Sequence, residues 1–395
     1  MVGRLIRKRQ PSIHFLYLCL AGIALSCSHP LKTDGPRPVA DRLSEPTPRD
    51  RYADDVGRFL AGSSARPGSP FADLQKREDW IRHRRELDRR WSKMEDGPLP
   101  AMRVFQKQEL GAISITNTTV FYPFSGPDAL MVTTLFPQSP AYVMVGLEPV
   151  GTLPTSKQLE RKDLGPYLAR VRTTIASELS RSFFITRQMD RQFRGQVTDG
   201  LFLPILQLLV RTDHTILGFR YVRLENGGQI VERAADYKAP GKIGNRGVEI
   251  DFRTDSDQSV HKLFYFSADL SDSGLRENRP FSSFLAGLKG TTTFLKATSY
   301  MLHKQEFSMI RERILSNSLA VLQDDSGIPY HFFATPHWRV QLYGDYIRPY
   351  GSFRWLEQPD LRKAYLTSGP KPLDFRIGYG YGRIASNLLF ATRTD

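Results

Sequence analysis

Apolar residues recur at helical spacing through Tyr52-Ala-Asp-Asp-Val56-Gly-Arg-Phe59-Leu60-Ala61, and Gly62 stands where a helix C-cap belongs. A Gly/Ser/Pro break from Gly62 to Pro70 separates this helix from a charged one, expected over Phe71 to Met94. Its buried side would be Phe71, Leu74, Trp80, Leu87 and Trp91, and Gly97-Pro98 would end it. From Ile113 the pattern changes to short buried runs. Val120 to Phe124 reads as a strand, Ser125-Gly126-Pro127-Asp128 as a turn, Ala129 to Phe136 as a helix and Ala141 to Leu147 as a second strand. Strand, turn, helix and strand in this order make a βαβ unit, which places its two strands side by side and parallel.

Beyond that unit the pattern predicts amphipathic helices over Leu164–Phe193 and Leu201–Leu209. A hairpin, Ile216–Leu224 and Gln229–Arg233, turns at Asn226-Gly227-Gly228. Strands are expected at Val248–Phe252, Leu263–Ser267, Ala320–Gln323, Trp338–Tyr346 and Asn387–Thr392, with helices over Thr293–His303, Phe307–Asn317 and Pro359–Tyr365. The fold class this implies is α/β, a Rossmann-like and mainly parallel sheet flanked by helices. The expected domain plan is a leader over 1–26, a flexible tether over 27–48, a helical extension over 49–112 and the α/β domain over 113–395.

The first 27 residues change the picture. A basic start, Arg4 to Arg9, precedes an apolar run from Ile13 to Leu25, then Ser26 and Cys27. These are the parts of a secretory signal, and the apolar run is too short to span a bilayer as a helix. Ile23-Ala24-Leu25-Ser26-Cys27 is a loose lipobox, resembling the relaxed lipoboxes of spirochaetes, with Cys27 as the residue whose sulfur takes diacylglycerol. Cys27 would then be the acylated N-terminus, carrying chains such as palmitate. Ser28, rather than aspartate, in the next position favours the outer membrane over the inner. The partner expected from this segment is the lipid bilayer.

The chain has 2 cysteines. Cys19 lies inside the apolar run, so disulfides and thiolate metal sites are both excluded from the mature protein. Hydrophobic residues at 40% and aromatics at 11% mark a globular chain that builds an ordinary core. The formal charge is +14, from 55 Lys and Arg against 41 Asp and Glu. Export argues against nucleic acid as the partner; anionic lipid or glycan suits the excess better. Arg84, Arg85, Arg89 and Arg90 recur about a helical turn apart and read first as a solvated helix face.

Candidate chemistry gathers at expected strand ends. In a dinucleotide or adenosyl site the turn after the first strand approaches the ligand, and an acid after the second strand takes ribose hydroxyls. Gly126 and Glu148 occupy those places. The segment Phe121 to Asp128, with Gly146-Leu-Glu148-Pro149, resembles the opening of class I S-adenosylmethionine-dependent methyltransferases, and the closing strands resemble that fold's terminal hairpin. The resemblance implies a Rossmann-like sheet. The turn has only Gly126 where that family has a GxG-type turn, and Pro127 removes a donor. The reading is therefore a sheet kept as scaffold, with no cofactor expected. The words FYPFSGPD, GLEPVG and QDDSGIP also resemble those of an uncharacterised family of secreted bacterial lipoproteins, from about Tyr52 to the end; that resemblance implies no activity.

Two functions stay open from the sequence. One is a tethered binding or structural module. The other is an envelope enzyme, a degenerate transferase or a hydrolase, using an acidic cleft where Asp128, Glu148 and Asp325 converge. Asp324 and Asp325 could together ligate Ca²⁺, but Asp-Asp-Ser-Gly is also an ordinary turn. The histidines lack zinc-ligand spacing, and no nucleophile elbow surrounds Ser125. Tyr379, Tyr381 and Arg383, on a loop with glycine at alternate positions, form a candidate aromatic and cationic patch.

Overall fold

The computed structural model describes residues 50–111, 118–160, 163–181, 200–234, 246–254, 259–380 and 385–394. Cys27, the leader and the tether lie outside the described residues, as do Tyr381 and Arg383. Among the described residues no helix is long and apolar enough to cross a membrane.

Helices α1 (Arg51–Ala61), α2 (Glu78–Glu95) and α3 (Pro98–Phe105) come first. Asp50 caps α1 at its start and Gly62, at φ 70°, ends it. Strand β1 (Val120–Pro123), helix α4 (Ala129–Leu135) and strand β2 (Ala141–Gly146) form the expected βαβ unit. The two strands are parallel neighbours, with Val120 opposite Tyr142. Helices α5 (Leu164–Arg181) and α6 (Phe202–Arg211) lead to β3 (His214–Glu225), β4 (Gln229–Glu232), β5 (Arg246–Thr254) and β6 (Val260–Ser267). Then follow α7 (Asp272–Glu277), α8 (Arg279–Gly287), β7 (Thr291–Leu295), α9 (Ser308–Asn317) and β8 (Ser318–Gln323). Strand β9 (Trp338–Gly344), helix α10 (Pro359–Thr367) and strand β10 (Asn387–Arg393) close the chain.

Among the described residues all the strands join one 10-stranded sheet in the order β4-β3-β5-β6-β2-β1-β7-β8-β10-β9. The sheet is mixed rather than mainly parallel. Neighbours are parallel from β6 through β2, β1 and β7 to β8, and antiparallel at every junction outside that block. The reason lies in the connections. The Asn226-Gly227-Gly228 turn and the short link between β5 and β6 reverse the chain directly, whereas parallel neighbours need a crossover.

Helices cover both faces. Those preceding β3 bury Val56, Phe59, Leu130 and Leu206 against Tyr142 and Met144; those following β6 bury Phe281, Phe284 and Ile310 against Val143 and Val145. Alternate residues of β2 therefore serve opposite layers, and the strand is apolar throughout, as burial on both faces requires. Sidedness follows from handedness. The chain moves one way across the sheet from β1 to β2 and the other way from β6 to β7 and β8, so right-handed crossovers place the two helix sets on opposite faces. The α1–α3 segment shares its core with the sheet instead of packing by itself: Asp54 accepts a hydrogen bond from the Ile216 amide at 2.9 Å.

One expected helix is a strand. Thr293–His303 had apolar residues at helical spacing, yet Thr291–Leu295 forms β7, fully buried between β1 and β8. Three consecutive β-branched threonines favour extended backbone, and a buried site for the strand decides in its favour. Helices α7 and α8, which escaped the pattern reading, are capped by Ser271 and Asn278.

Phe59 is wholly buried, 5.0 Å from the Phe71 ring, and its carbonyl accepts from the Trp80 indole at 2.9 Å. Replacing it with alanine should cost about 3–5 kcal/mol. Urea unfolding followed by tryptophan fluorescence and by far-UV circular dichroism should still give one coincident transition at lower urea. Two separated transitions would show that the first three helices are an independent unit.

Candidate functional site

The turn after β1 is held in an unusual shape. Phe124 has φ 60° and Gly126 φ 55°, and a left-handed aromatic residue persists only where its surroundings hold it. The Ser125 amide donates to the Val145 carbonyl at 2.9 Å, fastening the turn to the end of β2. The Ser125 hydroxyl lies 2.9 Å from the Gly126 carbonyl and 3.3 Å from that of Val145, so it acts as a donor to backbone.

Asp128 is 1% exposed and is the N-cap of α4, accepting from the Met131 amide at 3.1 Å. Its other carboxylate oxygen accepts from the Tyr122 hydroxyl at 2.7 Å and lies 2.5 Å from the Lys296 ammonium. Lys296 follows β7 and is itself buried. One carboxylate thus joins β1, α4 and the end of β7. Removing either charge of such a pair strands the other in low dielectric, a cost of about 3–5 kcal/mol.

Glu148 sits just past β2 and is 7% exposed. Among the described residues its carboxylate has no hydrogen-bond or ion-pair partner, while its backbone carbonyl accepts from the Tyr265 hydroxyl at 2.8 Å. Burial first, then the Glu148 charge, pushes that tyrosine well above its ordinary pKa. Gly146 is what permits the arrangement: a Cβ there would stand 2.8 Å from both a Glu148 carboxylate oxygen and the Tyr265 hydroxyl.

Tyr122, Gly126, Asp128, Glu148 and Lys296 all line one cavity of about 150 Å³. Apolar walls come from Phe124, Leu147, Met301 and Phe307, and Asp269 stands at its exposed rim. The cavity opens at the carboxyl ends of β1, β2, β6 and β7.

The expected convergence of three acids is not what the structure forms. Asp128 and Glu148 share the cavity, but Asp325 is absent from its lining. The segment Lys296–Met301 is the cavity wall, and the Asp324-Asp325 turn braces it. Asp324 accepts from the Ala297 amide at 2.9 Å, Ser326 Oγ accepts from the Thr298 amide at 2.9 Å, and Asp325 accepts from the Tyr300 hydroxyl at 2.5 Å. Ala297, Ser299 and Tyr300 have φ of 51°, 56° and 52°, so this wall is strained and needs those bonds. Asp324 and Asp325 are committed to it, which leaves the turn reading in place of a cation cage. Among the described residues no group of three or more His, Cys, Asp or Glu side chains could hold a metal ion.

Tyr379, the one member of the candidate aromatic and cationic patch within the described residues, belongs to the same brace. Its ring stacks on Tyr300 at 6.1 Å and 5°, and its hydroxyl lies 3.0 Å from Ser299 Oγ. Gly378 allows Asp324 to approach, since a Cβ there would come within 2.0 Å of its carboxylate. Arg84, Arg85, Arg89 and Arg90 are exposed on α2, as a solvated face requires. Lys296 escaped the sequence reading because it fell inside the segment read as a helix. Assigning the Thr291–Leu295 run to a strand would have placed it at a strand end, beside the acids.

No family model matched the chain, and comparisons with curated proteins and with solved structures returned no match.

Burial, and then the neighbouring Asp324, raises the Asp325 carboxyl to about 7; burial also raises Asp324. The folded protein therefore holds the Asp325 proton more tightly than the unfolded chain does. That contribution to stability is present in full below the unfolded carboxylate pKa of about 3.9 and is lost as pH rises through about 7. Asp325→Asn should flatten the profile in this window, removing a dependence on the order of 1 kcal/mol per pH unit. Urea midpoints at several pH values from acid to neutral, for both proteins, will measure it; parallel profiles would exclude Asp325 as the titrating group.

Proposed function

We propose that this protein is an envelope lipoprotein, tethered through acylated Cys27, whose α/β domain binds a small ligand in the strand-end cavity. The observation that carries the reading is Glu148, a residue 7% exposed that lines the cavity and whose carboxylate has no protein partner among the described residues. Buried charges in proteins are ordinarily paired or hydrogen-bonded, and a ligand is what would complete this one.

A Rossmann-like description of the parallel block belongs to this proposal. Taken in chain order, β1, β2, β6, β7 and β8 lie in the order 3-2-1-4-5, and the order reverses between β1 and β7. Open α/β sheets bind ligands at the carboxyl ends beside such a reversal, where the cavity lies. Binding is favoured over chemistry because Asp128 is neutralised by Lys296, and Ser125 donates to backbone carbonyls. Attraction to anionic lipid or glycan is assigned to the exposed arginines of α2, as an accessory to the tether.

Two measurements test the parts separately. In cells that process lipoproteins, the wild type should partition into detergent and carry lipid by mass spectrometry; Cys27→Ser should do neither, and a lipidated Cys27→Ser variant would refute the tether. For the cavity, a thermal-shift screen of sugars, nucleosides, amines and lipids should yield a ligand whose binding falls about tenfold or more in Glu148→Ala. Reversing Arg84, Arg85, Arg89 and Arg90 to glutamate should leave that binding unchanged. The opposite result, at matched stability, would make the basic face the ligand site.

A further inference from the structure

The charges around the cavity do not balance. Asp128 and Lys296 cancel, which leaves Glu148 in the wall and Asp269 at the rim. In a chain of formal charge +14, a locally acidic cavity runs against the background. With Lys296 paired to Asp128, an anionic ligand would meet two carboxylates and no uncommitted ammonium from the wall. A neutral polyol could supply hydrogen bonds to Glu148 but would displace the water around its carboxylate without supplying a counter-charge, which is unfavourable in a confined site.

The rest of the lining suits a ring or a short apolar chain. Phe124 and Phe307 meet edge to face at 5.9 Å, with Met301 and Leu147 beside them. The volume, about 150 Å³, is that of a cavity able to take a benzene-sized group. Aromatic faces attract cations as well as apolar groups.

We infer that the cavity binds an organic cation, an ammonium carried on a ring or short apolar chain, with Glu148 as its counter-ion. This rests on the cavity being the ligand site, as proposed above. Phenethylammonium, its uncharged counterpart 2-phenylethanol, its anionic counterpart phenylacetate, and adenosine as a polyol are the probes. Each is titrated calorimetrically into the full chain in an uncharged detergent, at fixed ionic strength. Phenethylammonium should bind about tenfold or more tighter than the alcohol, with phenylacetate weakest. Glu148→Gln, checked for an unchanged thermal midpoint, should erase that preference while leaving the alcohol within about twofold. Comparison of the probes on the wild type keeps the test valid even if the variant does not fold.

Alcohol or adenosine binding as tightly as the ammonium, with loss in Glu148→Gln, would overturn the cation and leave the cavity as the ligand site. A cation preference that survives Glu148→Gln would place the cation elsewhere and overturn the inference. Absence of phenethylammonium binding up to about 10 mM would also overturn it, while the wider screen would judge the cavity itself.

Discussion

Asp128 is the point at which the chain's separate parts become one site. Its first oxygen caps α4, and its second takes Tyr122 and Lys296. The turn after β1, the helix that follows it and the end of β7 are therefore referred to one carboxylate. A solvated surface pair would hold nothing so firmly, because water competes for both partners. Burial excludes that competition, and it also makes the pairing obligatory, since neither charge can be left alone in the interior. The cavity floor inherits its shape from this requirement.

The wall is built on a different principle. From Ala297 to Tyr300 the backbone repeatedly takes left-handed conformations that its side chains disfavour. It is held there by the turn after β8, through Asp324, Asp325 and Ser326, and by the stacked rings of Tyr300 and Tyr379. Two adjacent carboxylates are an expensive brace, because burying them raises their affinity for protons. The cost falls at the place where the sheet meets the cavity, where precise positioning of a few side chains has most effect.

Between floor and wall, Glu148 differs from the other acids. Asp128, Asp324 and Asp325 are all committed to holding the structure, and each could be mistaken in the sequence for part of a reacting centre. Glu148 is held by its backbone through Tyr265 and by the space that Gly146 leaves, and it lines the cavity with no carboxylate partner among the described residues. Structure thus separates the acids committed to holding the site from the one with no protein partner among the described residues.

Local chemistry accounts for what could be read from the chain. The β1-turn-α4-β2 unit, the Asn226-Gly227-Gly228 hairpin and the Gly62 helix end depend on residues a few places apart, whose periodicity and cap geometry act before distant contacts form. The placement of Glu148 after β2 follows from the same unit. The identity of β7 did not, since Thr291–Leu295 is short and its extended form is decided by β1 and β8 on either side. With β7 unassigned, Lys296 could not be matched to Asp128, 168 positions earlier in the chain. Nor could Asp325 be kept out of the cavity, because the wall that intervenes is that same segment. The antiparallel strands on both sides of the parallel block belong with these, for which edge a hairpin joins depends on which edges remain unpaired. The sequence by itself determined the elements and the chemistry at their ends; only the tertiary structure decided which ends meet, because a buried charge or a strand edge is satisfied by partners that sequence distance does not reveal.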